Sequence, residues 1–282
     1  MTGTRPSRLA LGAIAAVDGE AIHYIEAGEG SPVVLIHGFP SNTFVWSRVM
    51  PRMAEHHRTV ALDLPGLGYS HRNRTRSFAL EAHARTVTGL MDTLGIERAS
   101  IVGLSMGGGV AERIALTFPE RVERLILLAA IDESDGSTWQ NHWGDLLVLS
   151  AALRVAPLAR LVAGISLRRV VEDPAFVTPE LIERYVRPLL RRGTVPCLRR
   201  YLWDNRAAAR ADLSRIAVPT LVIIGERDGS VRPEVGERLV AKIPGARRVV
   251  LERANHLIAL ERSEDVYVEV ERFLHESAVS PS

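Results

Sequence analysis

Residues 103–107 have the sequence Gly-Leu-Ser-Met-Gly and stand between two segments of different character. The apolar stretch Ala99–Gly103 is typical of a short buried strand, and Met106–Phe118 is typical of an amphipathic helix. A serine on so tight a strand-to-helix turn is held at strained backbone angles with its hydroxyl exposed, and only small residues fit two positions before and after it. The setting therefore predicts that Ser105 is a nucleophile at the start of a helix.

Strand-like and helix-like segments alternate along most of the chain. The first two strands are joined by Asp18-Gly19, a strong hairpin signal, and the later ones are continuous apolar runs, as expected for strands covered on both faces. This alternation predicts an α/β fold with a mostly parallel, eight-stranded sheet and helices on both faces. The predicted strands are Leu9–Val17, Glu20–Glu26, Pro32–Ile36, Thr59–Leu64, Ala99–Gly103, Arg124–Ala129, Pro219–Gly225 and Arg247–Leu251.

The alternation breaks between residues 132 and 210, where helix-like segments follow one another without a strand candidate. Thr178 and Pro179 have the pattern of a helix N-cap followed by proline at the first helical position. We therefore predict a helical cap over 132–210 on a core formed by 1–131 and 211–282. An insertion between strands of such a sheet is expected at the edge where open α/β sheets bind ligands.

A serine hydroxyl needs a general base to act as a nucleophile, and the base needs an orienting acid. In a fold of this kind the acid and then the histidine follow the serine along the chain, on loops after later strands. Asp228 directly follows one predicted strand and His256 follows the last one. These positions predict a Ser105–His256–Asp228 triad, with Asp132 and Glu133 as the less favoured alternative acids.

Acyl transfer places negative charge on the former carbonyl oxygen, and two backbone N–H groups are needed to stabilise it. Met106, directly after the nucleophile, is expected to supply one of them. The other is expected from the loop that follows the strand 32–36. Pro40 has no N–H and Gly38 allows close approach of the backbone, so Phe39 is the predicted donor.

Composition argues against several classes of partner. The net charge is +2 and the pI is near 9, a slight arginine excess without a clustered basic surface, so no nucleic-acid partner is expected. No apolar run reaches membrane-spanning length, and no membrane partner is expected. The single cysteine, Cys197, excludes an internal disulfide and favours a cytoplasmic location. His57 and His83 lie in polar or surface-helix settings and are predicted to be solvated.

Five motifs together resemble the α/β-hydrolase fold superfamily, in its capped serine hydrolase group, and they are spread from about residue 20 to about residue 275. The resemblance implies the triad and the oxyanion donors named above and no cofactor or metal. It also implies a small-molecule substrate, and it leaves a homodimer open. Serine at the nucleophile position argues against the epoxide hydrolases and haloalkane dehalogenases of this group, which use aspartate there. The motifs are His37-Gly38-Phe39-Pro40, Asp63-Leu-Pro-Gly-Leu-Gly-Tyr-Ser, Gly103-Leu-Ser-Met-Gly-Gly, Gly225-Glu-Arg-Asp and Asn255-His256.

Three functions remain open on the sequence. The leading hypothesis is a carboxylesterase that cleaves a small or medium-sized ester through an acyl-enzyme. A carbon–carbon bond hydrolase or perhydrolase could use the same triad, although Leu257 follows the histidine where the carbon–carbon hydrolases usually have tryptophan. A non-catalytic ligand-binding protein is the third. Twelve arginines against six acidic residues between Trp139 and Arg210 allow an anionic substrate, or only a solvated face of the cap.

Overall fold

The computed structural model describes residues 12–132, 134, 143–206 and 211–276. Its eight strands form one sheet in the order β1-β2-β4-β3-β5-β6-β7-β8, in which β1 and β2 are antiparallel to their neighbours and the other pairs are parallel. The predicted fold class is thereby confirmed. The strands are β1 (Ala13–Val17), β2 (Glu20–Ala27), β3 (Ser31–Ile36), β4 (His57–Leu62), β5 (Ala99–Leu104), β6 (Val122–Leu128), β7 (Thr220–Gly225) and β8 (Arg247–Leu251).

The hairpin between β1 and β2 turns at the two residues that the sequence indicated. Asp18 has φ 50° and Gly19 has φ 76°, so both central residues of the turn are left-handed. A two-residue turn of this kind matches the twist of the flanking strands, and the sequence Asp-Gly favours it. The hairpin prediction is confirmed.

The central strands are buried on both faces because successive side chains point to opposite sides of the sheet. In β3, Val34 and Ile36 belong to one apolar cluster, whereas Val33 and Leu35 belong to the other. Helices α2 and α3 pack with the first cluster, and α1 and α10 with the second. The helices of the core are α1 (Met50–Met53), α2 (Leu80–Thr93), α3 (Met106–Thr117), α8 (Pro233–Lys242), α9 (Ile258–Glu261) and α10 (Ser263–His275).

In the described part of the segment predicted to form the cap, four helices lie between β6 and β7. Thr178 caps α6 as predicted, its hydroxyl accepting a hydrogen bond from the Leu181 N–H at 3.2 Å. The predicted boundaries of the cap stay a prediction, since Glu133, 135–142 and 207–210 lie outside the described residues. The four helices are α4 (Trp143–Ala152), α5 (Ala156–Arg169), α6 (Pro179–Leu189) and α7 (Thr194–Asn205).

Two histidines predicted to be solvated are buried, and that prediction is wrong. His57 is 6% exposed and its Nε2 lies 3.0 Å from the Glu271 carboxylate. His83 is fully buried, because α7 covers this face of α2 and the Tyr201 ring stacks on the imidazole at 4.9 Å between centroids. Within the described part of the chain, no helix has the length and apolar character needed to span a membrane.

Candidate active site

The turn that carries Ser105 is as tight as the sequence pattern requires. Ser105 has φ 54°, a left-handed conformation that is rare for a residue with a side chain. A Cβ atom on Gly103 would lie 2.2 Å from the Gly107 carbonyl oxygen, and one on Gly107 would lie 2.2 Å from the Ile36 carbonyl oxygen. Neither position can therefore hold a side chain. The serine ends β5 and begins α3, so its hydroxyl stands beside the positive end of that helix.

Asp228 and His256 meet at the same edge of the sheet. The Asp228 Oδ2 atom lies 2.8 Å from His256 Nδ1, and Oδ1 accepts hydrogen bonds from the N–H groups of Ser230 and Val231, both at 2.8 Å. Because the carboxylate accepts a hydrogen bond from the Nδ1–H group, the neutral imidazole has its lone pair on Nε2. This is the tautomer that a general base needs to accept a hydroxyl proton.

The alternative acid is engaged elsewhere. Asp132 Oδ2 lies 2.7 Å from Lys242 Nζ, and its Oδ1 accepts hydrogen bonds from Ser134. Burial would raise the pKa of Asp132, but the bonds to Lys242 and Ser134 hold that pKa below its ordinary value. The geometry thus associates Asp228, rather than Asp132, with His256. Glu133 lies outside the described residues.

Ser105 and His256 line one cavity of about 450 Å³ between the sheet edge and the cap. Among the described residues, no hydrogen bond joins the serine hydroxyl to the imidazole. Such catalytic contacts are often long in an unliganded site and shorten when substrate binds. The structure therefore brings the two side chains to one cavity without a direct hydrogen bond between them.

The predicted oxyanion donors line the same cavity. Phe39 and Met106 both line the cavity, and so does Gly38, which follows β3 in the chain. A Cβ atom on Gly38 would lie 3.0 Å from Ser105 Cβ, so the backbone after β3 passes in contact with the serine. The two predicted N–H donors therefore belong to two segments next to Ser105, the loop after β3 and the start of α3.

A buried histidine fixes the loop that carries Phe39. His37 Nδ1 lies 2.7 Å from the Gly38 carbonyl oxygen, and Nε2 accepts a hydrogen bond from the Leu64 N–H at 3.0 Å. Burial lowers the pKa of His37, while the charge of Asp63 acts in the opposite direction. A neutral imidazole with its proton on Nδ1 satisfies both contacts. His37 is therefore a structural support of the loop rather than a second base.

The rest of the cavity wall is mostly apolar, and half of its residues come from the cap. Tyr185 of α6 packs against Phe44 with an interplanar angle of 89°, and Tyr201 of α7 packs against Phe39 at 5.2 Å between centroids. Sequence reasoning could not assign Tyr185 to the cavity, because nothing local shows which face of a cap helix turns inward. Other apolar lining residues are Leu104, Ile131, Leu149, Ala163, Leu167, Val170, Leu189, Val231 and Leu257.

Comparisons with known proteins identify the family of this chain. The model of the alpha/beta hydrolase fold family matches residues 31–263. The 2-hydroxymuconate semialdehyde hydrolase of Pseudomonas putida is 30% identical over 266 residues, covering 89% of this chain and 90% of that protein. The pimeloyl-[acyl-carrier protein] methyl ester esterase of Neisseria meningitidis is 32% identical over 236 residues, covering 82% of this chain and 73% of that protein.

A solved structure has the same architecture throughout. The meta-cleavage product hydrolase CumD of Pseudomonas fluorescens, in a serine-to-alanine mutant complexed with acetates, superposes with a TM-score of 0.79. It is 27% identical, and the match covers 93% of this chain and 97% of that one. Since the family match spans most of the chain, this protein belongs to the α/β-hydrolase fold family, with carbon–carbon bond hydrolases and esterases among its relatives.

Proposed function

We propose that this protein is a serine hydrolase that cleaves a carboxylic ester through an acyl-enzyme. The observation that carries the proposal is the Asp228–His256 pair, 2.8 Å apart, on the cavity that Ser105 also lines. The left-handed turn at Ser105 presents the hydroxyl from the start of a helix, which suits a nucleophile whose substrate becomes negatively charged.

In the proposed reaction His256 Nε2 takes the proton of the Ser105 hydroxyl as Oγ attacks the ester carbonyl carbon. The oxygen of the tetrahedral intermediate accepts hydrogen bonds from the N–H groups of Met106 and Phe39. The intermediate collapses, and the leaving alkoxide takes the proton from His256. Water, deprotonated by His256, then attacks the acyl-enzyme, and the carboxylic acid leaves as Ser105 regains its proton.

Carbon–carbon bond hydrolysis is the second candidate. It is supported by the likeness to the 2-hydroxymuconate semialdehyde hydrolase and to the meta-cleavage product hydrolase. Against it stand the residue after the histidine, which is Leu257, and the loop His37-Gly38-Phe39-Pro40, which has fewer glycines than carbon–carbon hydrolases usually carry there. Both reactions, and perhydrolysis, would use the same three side chains.

We further propose that the substrate is a small or medium-sized molecule, and that an anionic group on it meets Arg169. Of the cavity-lining residues in the described ranges, Arg169 at the end of α5 has the only permanently positive side chain. It is exposed at the rim, where an anion could stay partly hydrated. The apolar interior of the cavity suits the remaining hydrocarbon part.

A labelling and turnover experiment tests the reaction. A fluorophosphonate probe should label the wild-type protein and should not label Ser105→Ala, because the probe reacts with an activated serine. A panel of p-nitrophenyl esters of increasing chain length should be hydrolysed with a higher kcat/KM than a vinylogous diketone. Preference for the diketone would replace the esterase by the carbon–carbon hydrolase. A wild-type protein that does not label would leave only the ligand-binding alternative.

The anion proposal has a matched control on the same helix. Arg169→Gln should raise KM for an ester whose acyl chain ends in a carboxylate by about tenfold, the cost of one charge-assisted hydrogen bond. KM for the methyl-capped form of the same ester should change by less than about threefold. Arg168→Gln is the control, because it removes the same charge from the residue before Arg169, which does not line the cavity. If both substitutions raised KM equally, the positive charge of the region would attract the anionic substrate and Arg169 would make no specific contact with it.

A further inference from the structure

The side chain of Asn255, next to the histidine in sequence, contacts three separate parts of the site. Its Oδ1 accepts hydrogen bonds from the His256 N–H at 2.9 Å and from the Gly229 N–H at 3.4 Å. Its Nδ2 donates to the carbonyl oxygens of Arg169 and Val171, both at 3.2 Å. One carboxamide thus joins the base loop, the acid loop and the end of the cap helix α5.

The carboxamide of Asn255 matches the donors and acceptors around it. A carboxamide has two donors on one atom and two lone pairs on the other, and all four are used by these contacts. Exchanging its oxygen and nitrogen would set the amino group against two N–H groups and the oxygen against two carbonyls. The orientation is therefore fixed by its surroundings on both sides.

The backbone around Asn255 strengthens the same junction. The N–H groups of His256 and Leu257 both donate to the Val170 carbonyl oxygen at 3.1 Å. On the acid side, the Arg227 N–H donates to the Ala254 carbonyl oxygen at 2.9 Å. The residue that follows α5 is therefore hydrogen-bonded to the loop that presents the base. The loop that presents the acid is hydrogen-bonded to that same base loop, at Ala254.

We propose that Asn255 is a positioning residue. Its side chain holds the His256 imidazole in place relative to Asp228 and also joins the loop of His256 to the cap. The proposal rests on the function proposed above for Ser105, Asp228 and His256. The distance from His256 Nδ1 to Asp228 depends on how two loops 28 residues apart are held together. The Oδ1 atom of Asn255 accepts hydrogen bonds from both loops, and its Nδ2 atom donates to the end of α5. The position of the two loops therefore depends on the position of α5.

The test removes the two halves of the carboxamide separately. Asn255→Ala loses all four contacts, and kcat for the best ester should fall by about 100-fold, since misplacement of a catalytic group by about 1 Å has an effect of this size. Asn255→Asp keeps the acceptors for His256 and Gly229 but sets its second oxygen against the carbonyl oxygens of Arg169 and Val171, so the contact with the cap is lost. It should recover at least about tenfold in kcat over the alanine variant, while KM stays raised because the cap contact is lost.

Asn205 provides a matched control, since it also ties the cap to the core. Its Nδ2 donates to the carbonyl oxygens of Phe78 and Tyr201, and its Oδ1 accepts from the Leu80 N–H, all away from the cavity wall. Asn205→Ala should lower the thermal unfolding midpoint but change kcat by less than about threefold. If both alanine variants lower stability and neither changes kcat, Asn255 has only a structural role and the proposal is overturned.

A readout that needs no turnover separates this proposal from the proposed function. The Nδ1 proton that His256 shares with Asp228 should give a downfield proton NMR resonance in the wild type and in Asn205→Ala. That resonance should be lost or shifted in Asn255→Ala and restored in Asn255→Asp. If the wild-type protein hydrolyses no ester, the proposed function fails, and the resonance alone then decides whether Asn255 positions the imidazole. An identical resonance in all four proteins would overturn the positioning role.

Discussion

The nucleophile and the base of this site are held in place by different means. Ser105 is fixed by the packing of backbone against backbone, with no room for a Cβ atom on Gly103 or Gly107. The loop of His256 is held by hydrogen bonds that its neighbour Asn255 donates to the carbonyl oxygens of Arg169 and Val171, both at 3.2 Å and 84 to 86 residues away along the chain. The nucleophile is therefore positioned by contacts within the core, whereas the loop that carries the base also has hydrogen bonds to the cap.

Substitutions on the two sides should consequently act in different ways. Changes on the nucleophile side should act through folding, because the backbone cannot relax around an added atom. Changes on the base side should act through chemistry, because the loops can persist in a slightly different arrangement. The two carboxylates near this edge of the sheet test the chemistry expected on the base side.

Asp228→Asn should give the largest effect of any single substitution on the base side. An amide at this position no longer selects the imidazole with its proton on Nδ1, and the same change in a serine protease triad lowers kcat by about 10⁴-fold. We expect a comparable loss in ester hydrolysis, with an unfolding free energy within about 1 kcal/mol of wild type.

Asp132→Asn is the control for that loss. It removes a carboxylate bound to Lys242 at 2.7 Å but leaves the His256 contact intact, so kcat should stay within about threefold of wild type. Because Asp132 has a lowered pKa in the folded protein, its contribution is present above the ordinary carboxyl pKa and is lost as the pH falls through the lowered value. If Asp132→Asn removed activity and Asp228→Asn did not, the assignment of the acid would be wrong.

The sequence was sufficient for features that depend on neighbouring residues. The first two strands could be predicted from the hairpin signal Asp18-Gly19 and the later ones from their apolar runs, and Ser105, Asp228 and His256 could be proposed because each lies within five residues after a strand. The cap contacts could not be predicted. Asn255 lies beside a conspicuous histidine, but nothing in the chain indicates that its carboxamide meets the end of α5. The prediction that His83 is solvated fails for the same reason, because the sequence does not show that α7 covers it.

Gly107→Ala should have the next largest effect, on stability. Its Cβ atom would meet the carbonyl oxygens of Ile36 and His37 at 2.2 and 2.7 Å, which backbone atoms cannot avoid by rotation. Overpacking of this kind costs about 1 to 3 kcal/mol, and we expect the upper part of that range in urea unfolding. Activity should fall together with the folded fraction.

Gly144→Ala is the matched substitution in the cap. This glycine lies in α4, and an added Cβ atom would meet no atom of the described part of the chain within 4 Å. Alanine in place of glycine stabilises a helix interior by roughly 0.5 to 1 kcal/mol, and Gly144, as the second residue of α4, should gain at most about the lower value. A similar loss of stability from both alanines would contradict the view that the turn at Ser105 is closed to an added atom where α4 is open to one.

His83→Phe should give the smallest effect. It tests a second contact between cap and core, at which α7 packs on α2. Both ring nitrogens of His83 are buried without a hydrogen-bond partner among the described residues, and the ring stacks on Tyr201 of α7. Burial lowers the pKa of His83 well below its ordinary value of 6.5. Between those two values the unfolded chain binds the extra proton, so stability falls as the pH drops below about 6.5.

Phenylalanine keeps the stacked ring and removes both unpaired nitrogens, so the variant should be more stable by about 1 kcal/mol at about pH 7. Its stability should also decline less between about pH 7 and pH 5.5, although not to zero, since the pKa of buried His37 is lowered by burial too. Urea unfolding at both pH values measures the two effects. A variant that is less stable at about pH 7 would mean that the imidazole makes a polar contact. The α7 contact would then resemble the hydrogen-bonded one at Asn255 rather than a purely packed one.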